Sequence, residues 1–231
     1  MKTFFYRLMP KNLFVKNAPS IVFENEIGRF ELISELLTIR TSIEDRGAVE
    51  LFLRAWEFEH EVIGEYPKFY FEFIQTKKIK ANQSKIQSAT QFNEDENEDE
   101  DWMKNETIVI QYNFYPHPPT IKIVLEMEAI WNRFQRSRLG IGEPLQACAY
   151  YALTVIEKKA GSRKEASKLY SLDINILRKL GELTSNRGEP MTARKALKNT
   201  KPLTPIERRW IELVVRYIIL HMGLSQPKKR D

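Results

Sequence analysis

Tyr115-Pro116-His117-Pro118-Pro119 is the stretch that divides the chain. Three prolines in five residues fix φ and remove backbone donors, so neither a helix nor a central strand passes through it, and the architecture changes there. Before it, apolar residues recur mostly with period two; after it they recur with helical spacing. The contrast predicts an α+β protein. An N-terminal antiparallel β-rich domain occupies residues 1–115, and a C-terminal α-helical bundle of five or six helices occupies 120–231.

Upstream, Trp56-Glu57-Phe58-Glu59-His60-Glu61-Val62 alternates acidic with mostly apolar residues, which predicts a strand with its carboxylates on one face. Gly64-Glu65-Tyr66-Pro67 reads as a turn, and Phe69, Phe71 and Phe73 alternate with Tyr70, Glu72 and Ile74, so the two runs are expected to pair as a hairpin. Thr107–Tyr112, Phe4–Leu8 and parts of Phe30–Ile43 are further strand candidates, and Ala48–Arg54 is a short helix candidate. Residues 92–103 form an acidic loop. In Glu94–Asp101 seven of eight residues are acidic, which repels itself and buries nothing. It reads as a solvated loop or as a nucleic-acid mimic able to cover a basic surface.

Downstream, Val124, Met127, Trp131 and Phe134 mark one helical stripe. Pro144 opens another helix, with Leu145, Cys148, Ala149, Ala152 and Ile156 on one face and Gly161 as its stop. The last helix carries the clearest signals. Thr204 is its N-cap, Pro205 its first residue, Glu207 completes a capping box, and Gly223 is expected as the C-cap.

Charge separates the halves as well. Lys and Arg against Asp and Glu give −7 over 1–130 and +12 over 131–231, together the +5 of the chain. A basic half of this kind suits phosphate, because each cation that displaces a condensed counterion adds sequence-independent affinity. The densest cluster is Arg187, Arg194, Lys195, Lys198, Lys201, Arg208 and Arg209, with Arg163 and Lys164 expected to join it, together with Arg133, Arg136 and Arg138. Nucleic acid, RNA or DNA, is the expected partner, acting on an accessory protein of bacterial defence or regulation; an acidic protein partner and a plain protein-interaction module are the alternatives.

Arg163–Leu183 has helix-turn-helix spacing, with Ala166, Tyr170, Leu172, Leu177 and Leu180 as inter-helix contacts and Ser171 in the turn where glycine is usual. Ile174 is expected to stand exposed, and two antiparallel core helices fit the same residues. Arg216-Tyr217-Ile218-Ile219-Leu220-His221 resembles the arginine-to-histidine signature of HEPN ribonucleases, departing from it at Tyr217. The resemblance implies a metal-independent endoribonuclease acting as a homodimer, with Arg216 stabilising phosphate charge and His221 handling the 2′-hydroxyl proton. Arg163-Lys164-Glu165-Ala166, Leu180-Gly181-Glu182-Leu183 and Ser185-Asn186-Arg187-Gly188 together resemble a bacterial family with a β-rich front and a helical rear. That likeness spans most of the chain and implies no activity.

Other chemistries are disfavoured. Three scattered histidines give no metal-ligand spacing, and the acidic run lacks the central glycine of a calcium loop, so no metal and no cofactor are expected. Gly140-Ile141-Gly142 precedes Pro144, but Glu143 beside it opposes a phosphate at that helix end. One cysteine, Cys148, rules out an internal disulfide, and no apolar run reaches membrane-spanning length; a soluble cytoplasmic protein is expected.

Overall fold

The computed structural model describes residues 1–10, 20–64, 69–78, 117–187 and 201–224. It has the expected α+β class, a five-stranded antiparallel sheet followed by helices. The chain forms two compact units, Met1–Glu57 with Tyr66–His117, and Phe58–Glu65 with Pro118–Asp231.

In the first unit, β1 (Lys2–Pro10), β2 (Ile21–Glu24), β3 (Arg29–Ile33), β4 (Leu36–Thr41) and β5 (Phe69–Lys78) form a sheet of order β2-β3-β4-β1-β5. Register puts apolar residues in rows. Phe23, Phe30, Ile39 and Phe4 lie across the strands in one row, and Ile21, Leu32, Leu37 and Tyr6 in the next. A shift by one residue would turn both rows to the opposite face, so the pattern fixes the pairing. Phe23 and Phe30 stack with centroids 4.6 Å apart. Helix α1 (Arg46–Ile63) places Val49, Leu53 and Trp56, one stripe at i, i+4 and i+7, into this core.

Helix α1 corrects the expected strand at 56–62 and with it the hairpin, since β5 pairs with β1. Two residues are about 200° of helical rotation, so Trp56 and Phe58 point away from each other and are buried in separate apolar clusters. Alternation at period two is therefore what a helix buried on two faces also produces. Among its acids, Glu59 is buried, its carboxylate accepting from Thr120 N–H at 2.6 Å, Thr120 Oγ1 at 2.7 Å and Ile121 N–H at 3.3 Å. These are the first backbone donors after Pro118-Pro119. The strand expected at 107–112 and the acidic loop lie outside the described residues.

The second unit contains α2 (Leu125–Arg138), α3 (Leu145–Ala160), α4 (Arg163–Leu169), α5 (Ile174–Asn186) and α6 (Pro205–Leu224). Helix α3 packs against the other four, and its Cys148, Ala149 and Ala152 are fully buried; small side chains there let helix axes approach closely. It ends at Gly161, as expected, in the left-handed conformation. Helix α6 begins with the expected capping box: Thr204 N–H donates to Glu207 Oε2 at 2.9 Å, and Glu207 N–H to Thr204 Oγ1 at 3.2 Å. Gly223 is not a cap. It is buried inside the last turn, where an added Cβ would lie 2.6 Å from Ile121 Cβ, so it is a close-packing residue. Among the described residues, no helix is long and apolar enough to cross a membrane.

Candidate nucleic-acid interface

Helices α4 and α5 meet through the residues the sequence assigns to them. Ala166, Tyr170, Leu172, Leu177 and Leu180 are all buried, and both helices pack on α3. The turn is closed by Ser171 at φ +51°, the left-handed conformation that a helix-turn-helix usually gives to glycine. Asp173 then caps α5, its Oδ1 accepting from Asn175 N–H at 2.6 Å. Ile174 is half-buried rather than exposed. What stands on the solvent face is Asn175, Arg178, Lys179 and Glu182, an i, i+3, i+4, i+7 set. Sequence reading missed Asn175 and Arg178, although their spacing relative to the buried Leu177 and Leu180 is a signal for them.

The expected cations divide into two kinds. Arg163 is a strut: its Nε donates to Glu157 Oε1 at 2.5 Å, and its guanidinium lies where a side chain at Gly181 would stand. Arg187 pairs with Glu207 and Arg209 with Glu212, each at 3.3 Å. Lys164, Lys201 and Arg208 are exposed without an ion pair among the described residues, as are Arg136, Arg138 and Arg178. Arg194, Lys195 and Lys198 lie outside the described residues.

The acidic residues show the complementary pattern. Each described glutamate between residues 131 and 224 is ion-paired: Glu143 to Arg133, Glu157 to Arg163, Glu165 to Lys168, Glu182 to Lys179, Glu207 to Arg187 and Glu212 to Arg209, at 2.5–3.3 Å. Carboxylates in this part of the helical unit are thus neutralised locally. The unpaired charge that remains there is mostly cationic; the exception is the exposed Asp173, whose carboxylate caps α5.

Arg216 and His221 each reach a different helix. Arg216 Nη1 donates to the Val62 carbonyl in the last turn of α1 at 2.5 Å, and its guanidinium carbon lies 5.5 Å from the Trp131 ring and 5.8 Å from the Phe134 ring. Burial, then Arg138 and Arg209, hold its pKa below the usual arginine value, while Glu212 and Glu61 act the other way. His221 Nδ1 lies 2.8 Å from the Tyr170 carbonyl, which can only accept, so Nδ1 carries the proton. Tyr170 is the C-cap of α4, and the His221 ring packs on Tyr217 at 4.2 Å. Both side chains of α6 therefore serve the C-terminal ends of other helices, where orphan carbonyls need donors and the macrodipole favours cations. No signal in the sequence names those partners, because both lie far away along the chain.

Among the described residues there is no cluster of three or more metal-ligating side chains. Compared with protein-family models, with curated proteins and with solved structures, the chain matches none.

Proposed function

We propose that the helical unit binds nucleic acid, chiefly through phosphate contacts. The observation that carries this is the asymmetry of ion pairing: glutamates occupied by neighbouring cations, and Arg136, Arg138, Lys164, Arg178, Lys201 and Arg208 left over. An unpaired exposed cation gains by displacing a counterion from a phosphate, whereas a paired one must first give up its carboxylate. The turn geometry at Ser171 supports a groove-facing role for α5, whose Asn175 and Arg178 are residue types that read base edges.

The test is anisotropy of labelled RNA and DNA, single- and double-stranded, against salt. Engagement of about four phosphates lowers affinity by roughly 10²-fold between 50 and 200 mM salt. Lys164→Glu with Arg178→Glu weakens binding for all sequences alike. Binding that is absent at low salt, or indifferent to salt, refutes the reading.

A further inference from the structure

The turn from α2 to α3 and the first turns of α6 enclose a groove. One lobe, about 260 Å³, is lined by Ser137, Gly140, Gly142, Pro144, Gln146 and Arg208, with Glu143, Leu145, Pro202 and Leu203 also on its wall. A second lobe, about 310 Å³, shares Ser137, Leu145 and Arg208 and adds Arg138 and Glu212.

Three observations at this groove converge. Helix α3 opens into it with Pro144 as N-cap and no side-chain cap, so the N–H groups of Leu145 and Gln146 have no acceptor among the described residues. Gln146 is only 9% exposed, and its carboxamide has no hydrogen-bond partner among the described residues, although the residue lines the groove. The third observation is charge. Both carboxylates on the wall are already held, Glu143 by Arg133 and Glu212 by Arg209, each at 3.3 Å, while Arg138 and Arg208 carry no ion pair. The Glu143–Arg133 pair removes the objection that the sequence raises against a phosphate at this helix end.

We propose that this groove binds the phosphate group of a phosphomonoester. Arg208 and Arg138 supply the charge, the Gln146 amide and the α3 N–H groups supply directed donors, and Gly140 and Gly142 line the turn without side chains. The phosphomonoester is either the terminal phosphate of a nucleic-acid strand or a free mononucleotide. The inference does not depend on strand binding elsewhere on the helical unit.

The experiment uses the full chain, at constant ionic strength held with chloride, and three probes: inorganic phosphate, adenosine monophosphate, and a 5′-phosphorylated oligonucleotide beside its 5′-hydroxyl twin. Phosphate and adenosine monophosphate are expected to raise Tm saturably. Arg208→Gln weakens both by about tenfold, about the loss of one charge-assisted contact; Gln146→Met weakens them less, and Lys158→Gln, exposed on α3 outside the groove, leaves them unchanged. Arg208 is exposed, so its variant keeps the test interpretable if Gln146→Met folds poorly. A phosphorylated strand binding more tightly than its hydroxyl twin identifies a strand end; adenosine monophosphate alone competing identifies a free nucleotide. Equal binding of the two strands, with no saturable response to phosphate or adenosine monophosphate, overturns the groove proposal and leaves the nucleic-acid reading standing. Phosphate binding indifferent to Arg208→Gln overturns it too.

Discussion

Arg216→Ala separates a structural from a catalytic reading of α6. The substitution removes a charge-assisted hydrogen bond to the Val62 carbonyl and the packing of a guanidinium over Trp131 and Phe134. A hydrogen bond to a charged donor is worth about 1.5–3 kcal/mol and each cation–π contact about 0.5–1 kcal/mol. Against this stand the burial of the charge and the nearby Arg138 and Arg209, which press its pKa down without deprotonating it. The net loss is about 2 kcal/mol, because part of the favourable sum is offset. For a chain of this length that is roughly 4–8 °C in Tm. Arg216→Lys keeps the charge but not the planar stacking and recovers less than half. Thermal melts followed by circular dichroism read the effect, with RNA cleavage assayed in EDTA on the same samples. An Arg216→Ala protein that melts within 2 °C of wild type would refute the strut, and cleavage lost without loss of stability would restore the ribonuclease reading.

Three further outcomes follow from named contacts. Gly64→Ala should destabilise by about 1–2 kcal/mol or more, since Gly64 sits at φ +70° after α1 and an added Cβ would lie 2.4 Å from Arg216 Nη1; a urea midpoint equal to wild type contradicts this. Cys148 should resist alkylation at pH 8 in the native protein and react on unfolding, because burial, aided by Glu143 and opposed by Arg133, pushes its thiol up to about 12; rapid native labelling would show the helical core to be open. The Glu207 carboxyl is held below its ordinary range first by the Thr204 backbone N–H, then by the Thr204 hydroxyl, Arg187 and Lys179. Its stabilisation is therefore present above the unfolded carboxylate pKa and lost as pH falls through the lowered folded value. Glu207→Gln should flatten part of the Tm decline between about pH 5 and 3, and an unchanged decline refutes the linkage.

The sequence made the ends and periods of elements legible where the signal is local. The α6 capping box needs only Thr204, Pro205 and Glu207, and the alternation of Phe4, Tyr6 and Leu8 needs only β1. It failed where one element serves two cores, because Trp56 and Phe58 on α1 imitate strand alternation. It also failed where a residue's role is set across the chain. Glu59, expected on the carboxylate face of a strand, accepts from Thr120 and Ile121; Gly223, expected as a cap, makes room for Ile121. Neither partner can be named without the fold.

The same distinction bears on how the charged residues are read. A basic run in a sequence counts charges, but only ion pairing tells which of them are free to meet a ligand. Arg163, Arg187 and Arg209 were among the expected phosphate contacts and each is engaged by a glutamate, whereas Arg138 and Arg208 are not. The Arg216 and His221 pattern illustrates the converse: two residues at a catalytic spacing spend their donors on carbonyls of α1 and α4. A surface can bind phosphate with few ordered side chains, whereas a catalytic pair must meet at one reacting atom. The unpaired cations are what the phosphate proposal rests on, while Arg216 and His221 are directed to different helices.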